Sequence, residues 1–328
     1  MKRAEELLKE QAAEAAGKNG QPASASNLIV FDLPEFHAQN FPAREPLVVL
    51  SRNAKTAVFT TGSINQIFAW RGVGKTMMAL ALGGAMAKGE PFLCWNASRR
   101  AKVLYVDGEM PCAQLQERTR ALIGETEPEF FRILPFASQT GDIQPLCTAA
   151  GRKAIENVLG DCEVLFLDSI STLGQFATND EEEWLHFLRW LNDLRRRGLC
   201  VVFLHHAGKS GMQRGHSRSE DMLDVSIKLT RDENEEADWL KASMEYDKFR
   251  ASRSGIRSLV VEYKEGQWYH KLKDADKLKL LEEYTCLHPT ASARTIANDL
   301  PELGSHVTVG KLLKKLPRYQ EDRERGAI

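Results

Sequence analysis

The chain has 328 residues, 43% hydrophobic and 27% charged, with a formal net charge of -1. That is enough for one large α/β domain with a small appendage, and it excludes a global positive field drawing the protein to nucleic acid or an anionic membrane. No apolar run reaches the roughly 18 to 20 residues of a membrane helix. Six cysteines without a C-x-x-C pair suit reduced thiols in the cytosol better than disulfides or structural zinc.

Residues 1–27 read as a flexible tail and linker. "MKRAEELLKEQAAEAAGK" is charged, alanine-rich and not followed by an apolar segment, so it is not a secretory signal; the expected location is cytoplasmic. "GKNGQPASASN" then breaks the helical propensity. From Ile64 to Tyr269 short apolar runs alternate with amphipathic stretches. "INQIFAW", "KVLYVDGE", "FFRILPF", "EVLFLDS", "LCVVFLHH", "DVSIKLTR", "WLKASMEY" and "RSLVVEY" have strand character, and the most apolar fit strands buried on both faces of a parallel sheet. "TMMALALGGAMAKG", "CAQLQERTRALIG" and "EEWLHFLRWLNDLRRRG" carry apolar residues at helical spacing and end near glycine. The alternation predicts a doubly wound, mostly parallel α/β sheet over residues 28–273. "SLVVEYKEGQWYHK" reads as a closing hairpin turning at Glu265-Gly266. After that, residues 274–328 form a small helical module.

Within the first of these runs, "AWRGVGKTMM" joins a strand to a helix through a glycine-bearing turn, the context that gives a phosphate loop its meaning. Gly72 and Gly74 let backbone N–H groups turn inward, and the helix dipole favours the same anion. The nucleotide-binding stretch is therefore Arg71, Gly72, Val73, Gly74, Lys75 and Thr76, reaching Met77. Lys75 supplies charge to the terminal phosphates of ATP and Thr76 a hydroxyl for Mg²⁺. Ala69 stands where the usual pattern has its first glycine, which is harmless if its φ stays negative.

Three strand ends offer partners. Asp168, closing "CEVLFLDSIS", is placed to hold Mg²⁺. Asp107 and Glu109 follow another strand; Glu109 is the candidate base for the attacking water, with Asp107 supporting the turn. His205 and His206 end a third strand, and one of them is expected to sense the γ-phosphate. Adjacent strand residues point to opposite faces, so the pair is not read as a zinc site.

With "AWRGVGKT", "YVDGEMP", "LFLDSI" and "VVFLHHAGK" in this order, residues 28–273 resemble the RecA-like ATPases, in particular the RepA-type hexameric plasmid helicases and their AAA-family relatives. The resemblance implies Glu109 as the water-activating residue, Asp168 as the Mg²⁺ carboxylate, and His205 or His206 as sensor; the cofactor-binding set on this reading takes His205. It also implies a homo-oligomeric ring, expected to be a hexamer, with nucleotide between subunits. Lys248 and Arg250 in "MEYDKFRASRSG" would then reach the neighbour's phosphates, unless this is an ordinary basic loop. The polar loop carrying Lys209, Arg214 and Arg218 would grip single-stranded DNA in a central channel, although it has no aromatic residue for base stacking.

In the appendage, "DKLKLLEEYTC", "SARTIANDL" and "TVGKLLKKLPRY" read as three helices resembling a helix-turn-helix or winged-helix module. Lys311, Lys314, Lys315 and Arg318 crowd the last one. It either meets duplex DNA or docks a subunit. Together these features predict a DNA-associated ATPase, a ring-forming replicative helicase. The alternatives are an ATP-switched DNA-binding regulator and a recombinase-like filament former.

Overall fold

The computed structural model describes residues 29–51, 53–176, 181–207, 221–231, 240–251 and 256–316. The expectations for residues 1–27, for Lys209, Arg214 and Arg218, and for Arg318 lie outside these. The chain divides into two units, with the boundary between Ala43 and Arg44. In the first unit, helix α1 (Leu33–Ala38) begins with a capping box in which Asp32 and Glu35 satisfy each other's backbone N–H. The rings of Phe31, Phe36 and Phe41 meet beside it, all exposed.

The second unit opens with antiparallel strands β1 (Pro46–Leu50) and β2 (Asn53–Thr60). β3 (Ile64–Ala69) is buried at every position and leads into helix α2 (Lys75–Lys88). The short strands β4 (Pro91–Phe92) and β5 (Trp95–Ala97) complete a four-stranded antiparallel sheet in the order β2-β1-β5-β4. Strand and helix then alternate through β6 (Val103–Asp107), α3 (Cys112–Leu122), β7 (Phe131–Pro135), α4 (Ala149–Leu159) and β8 (Val164–Asp168). After α5 (Ile170–Gly174), α6 (Glu181–Arg196) and β9 (Cys200–His206) come four further strands, β10 (Val225–Thr230), β11 (Leu240–Phe249), β12 (Leu259–Lys264) and β13 (Gln267–Leu272).

The large sheet has the order β13-β12-β11-β10-β3-β9-β8-β6-β7. From β10 to β7 every neighbouring pair is parallel; from β10 outward to β13 every pair is antiparallel. The doubly wound, mostly parallel architecture expected from the alternating runs is present. Its physical basis is legible along β8. Val164 and Phe166 enter the core shared with α2, while Leu165 and Leu167 enter the core shared with α4 and α6. With a side-chain period of two, a continuous apolar run serves both faces. The last hairpin turns at Glu265 and Gly266, both with positive φ (53° and 79°), the geometry of a tight primed turn.

Three helices follow: α7 (Asp274–Leu287), α8 (Ala293–Asp299) and α9 (His306–Leu313). They gather around their own apolar cluster of Leu281, Ile296, Leu303, Val309, Leu312 and Leu313. Ser292 and Ser305 cap the last two through their side chains.

Candidate functional site

β3, β6, β8 and β9 are neighbours or near neighbours in the parallel part of the sheet, so the residues at their C-terminal ends converge on one edge. The loop after β3 sits there. Ala69 remains the last residue of the strand, without a positive φ, which is why alanine serves at this position. Gly72 (φ 78°) and Gly74 (φ 102°) make the turn. Gly74 is also crowded: a Cβ there would lie 2.0 Å from Leu240. α2 begins directly after it, so its free N–H groups and dipole point into the loop.

Lys75 is buried, and its Nζ donates to the carbonyls of Ala69 and Trp70, each at 3.1 Å, and to Nδ1 of His206 at 3.2 Å. Burial lowers its pKa, while the charges of Asp168 and Glu109 hold it up. With Lys75 donating to Nδ1, the proton of a neutral His206 sits on Nε2, facing the Glu109 carboxylate at 3.3 Å. Glu109 also accepts from the Ser169 hydroxyl at 2.5 Å. The hydrogen bond from His206, with those from Ser169 and the charge of Lys75, pulls the Glu109 carboxyl down to about 2 against the cost of burial. Glu109 is an ionised carboxylate at neutral pH.

Asp168 lies one strand over, paired in register with Asp107. It accepts hydrogen bonds from the Tyr105 hydroxyl at 2.6 Å and from the Thr76 hydroxyl. Burial dominates its titration and pushes it up to about 6. Tyr105 is itself fully buried, its ring stacked between Phe131 and Phe166. Asp107 has a different job. Its Oδ1 accepts the backbone N–H of Met110 at 2.8 Å and of Glu109 at 3.3 Å, fixing the turn that carries Glu109. Lys75, Glu109, Asp168 and His206 border one cleft of about 970 Å³, lined from Arg71 through Met77 on one side and by Glu109, Asp168 and His206 on the other. That volume is at the top of the range for small-molecule sites.

The comparisons with known proteins bear on this edge of the sheet. Residues 51–212, which span the phosphate loop and the ends of β6, β8 and β9, match the family model of the AAA domain. This stretch is similar to AAA-type domains, which supports a nucleotide-hydrolysing P-loop ATPase. No curated protein matches the chain. Among solved structures, a KaiC-like protein from the hyperthermophilic archaeon Pyrococcus horikoshii OT3 is 18% identical, covering 65% of this chain and 91% of its own, with a TM-score of 0.47.

The ATPase domain brings some of the expected residues together and separates others. His205 and His206 part as strand neighbours must. His206 enters the cleft, whereas His205 turns to the opposite face, its ring 6.3 Å from that of Trp184. Of the two, the fold brings His206 to the cleft and not His205. Lys248 and Arg250 are not in the cleft. β11 runs antiparallel to β10, with Lys248 opposite Ser226 and Phe249 opposite Val225, at the start of β10. The cleft lies beyond the other end of that strand pair, where Leu240 and Lys241 line it. Six polar residues of the cleft escaped sequence reasoning: Gln114 and Arg118 on α3, Ser171 and Thr172 on α5, Arg231 after β10, and Lys241 on β11. A sequence signal existed for the first two only, since their i, i+4 spacing shares one helical face.

Proposed function

We propose that the chain is a ring-forming, DNA-associated ATPase that hydrolyses ATP between subunits, and that it works as a replicative helicase of a plasmid, phage or integrated element. The observation that carries the reading is the division of cations: Lys75 serves the chain's own cleft, whereas Lys248 and Arg250 stand at the far end of the sheet. Charge spread over a transferring phosphoryl group needs stabilisation from several sides. In a head-to-tail ring, cations at one end of each subunit meet the cleft at the other end of the next. A homo-hexamer with single-stranded DNA in its channel is the assembly this reading takes.

In the cleft, the N–H groups of Gly72 to Thr76 receive the phosphates. Lys75 exchanges the carbonyls of Ala69 and Trp70 for terminal phosphate oxygens. Glu109, ionised and held by Ser169 and His206, accepts a proton from the attacking water. His206, bonded to both Lys75 and Glu109, links phosphate occupancy to the base. Thr76 and Asp168 offer hydroxyl and carboxylate oxygens side by side, a donor set that fits Mg²⁺, which binds through few protein oxygens and keeps its waters. When bound, that ion neutralises charge on the phosphate oxygens.

A second reading, an ATP-switched DNA-binding regulator, draws support from α9 and the residues just after it, where Lys311, Lys314 and Lys315 are all exposed. The deciding experiment measures ATP turnover with and without single-stranded DNA, together with displacement of an annealed strand. The motor reading predicts stimulated turnover and strand release. Turnover indifferent to DNA, with no strand displaced, would favour the regulator. Among the described residues no helix is long and apolar enough to cross a membrane, and the working location proposed is the cytoplasm.

A further inference from the structure

At the antiparallel end of the large sheet lies a second cavity, of about 130 Å³. Leu259 and Leu272 line it, paired in register across β12 and β13. Leu50 at the end of β1 and Tyr246 on β11 extend the same wall. Glu302, in the turn between α8 and α9, reaches it from the helical module. The small sheet, the large sheet and the helical module thus meet here. Every lining residue except Cys94 falls outside residues 51–212, the stretch similar to AAA domains. The cavity shares no residue with the nucleotide cleft.

One donor in this wall is unanswered. The Arg257 side chain is only 9% exposed. Its Nη1 donates to the Ile256 carbonyl at 2.9 Å and its Nη2 to the Glu283 carboxylate. Among the described residues, its Nε–H meets no acceptor, and a buried donor left in that state is costly. Lys271 stands on the same wall, 3.4 Å from Glu262. Arg257 and Lys271 outnumber Glu302 in the lining, since their partners Glu283 and Glu262 lie outside it. Burial raises the pKa of Tyr246, so its hydroxyl stays neutral and does not repel an anion. That hydroxyl accepts the Trp95 Nε1–H at 2.6 Å.

We propose that this cavity binds a small monocarboxylate with a short branched or cyclic body. Its carboxylate takes the Arg257 Nε–H in a charge-assisted hydrogen bond, and its hydrocarbon covers Leu50, Leu259 and Leu272. The size fits, because an engineered apolar cavity of about 150 Å³ holds a benzene ring. Inorganic phosphate fits badly, since it would be stripped of water against leucine side chains with few donors in return. A bound acid bridges sheet and helical module, and so stabilises their junction. The cavity would serve this role whether or not the cleft hydrolyses ATP.

The test is calorimetric titration of the full-length protein with isovalerate and with benzoate, followed by thermal melts. At least one acid should bind saturably, one per chain, at millimolar concentration. At ten times its Kd it should raise the Tm by about 2 °C or more. The alcohols of the same shape, isoamyl alcohol and benzyl alcohol, should bind about tenfold more weakly. Arg257→Gln should lose about tenfold in affinity for the acid. Because that change also breaks the Glu283 pair, Leu272→Phe serves as a second variant. It fills the cavity with Arg257 in place, and should abolish binding while still melting cooperatively. No saturable binding of either acid overturns the proposal and leaves the cavity to water. Equal affinity for acid and alcohol, displacement by inorganic phosphate, or binding that survives Leu272→Phe overturns it as well.

Discussion

Glu109 illustrates how a single residue is made ready by its neighbours. Its carboxylate is ionised far below neutral pH because His206, Ser169 and Lys75 all favour the charge. Glu109→Gln keeps the shape and loses the base, so ATP binding should persist while turnover falls by about 10² to 10⁴-fold; unchanged turnover would move the base to another residue. Asp168 is the contrast. Burial raises it to about 6 in spite of hydrogen bonds from Tyr105 and Thr76. Below that pH the carboxyl holds a proton that a metal must displace. The Mg²⁺ concentration giving half-maximal turnover should therefore be flat above pH 6 and rise by about tenfold per unit below it. Tyr105→Phe retains the ring stack and removes a hydrogen bond to a charged group, one worth about 1.5 to 3 kcal/mol. In that variant the rise should begin at higher pH.

At the scale of elements, the turn between β3 and α2 depends on two glycines for different reasons. Gly72 needs a left-handed backbone but has open space around it; Gly74 needs the backbone and also the room that Leu240 leaves. Gly72→Ala should cost about 1 to 2 kcal/mol of stability, the penalty for a side chain in that region. Gly74→Ala should cost more and weaken ATP binding further, which thermal melts and titrations of both variants would check. These glycines were legible in the sequence because the run joins an apolar strand to a helix. So were the principal strands of the large sheet, whose unbroken apolar character follows from burial on both faces. The four-stranded sheet was not, since β4 and β5 are two and three residues long and too short to display a period. α4 did carry a signal, since Gly151, Ile155 and Leu159 are buried at i, i+4, i+8 spacing in "AAGRKAIENVL", but Gly151 lowers its helical propensity. The choice between His205 and His206 needed a fact that adjacent residues cannot supply, namely which face of β9 lies toward α2. Arg231 and Lys241 were hidden for a similar reason, as only the order β11-β10-β3 brings them beside the phosphate loop.

For the whole molecule, the parallel strands set a polarity, with a nucleotide cleft at their C-terminal ends and Lys248 and Arg250 toward the opposite edge. The cleft is itself cationic, with Arg71, Lys75, Arg118, Arg231 and Lys241 against Glu109 and Asp168, so the head-to-tail closure proposed above needs the phosphates of a nucleotide at the junction. Sedimentation of the full-length protein should then show a larger assembly with a non-hydrolysable ATP analogue than without it. Any such assembly depends first on the cleft of one chain holding a nucleotide. Titration of full-length protein with ATP and Mg²⁺, beside Lys75→Ala under identical conditions, tests it most directly. The wild type should bind one nucleotide per chain saturably, with binding abolished or weakened by about 10²-fold or more in the variant. No binding by the wild type, or equal affinity in both proteins, would contradict it.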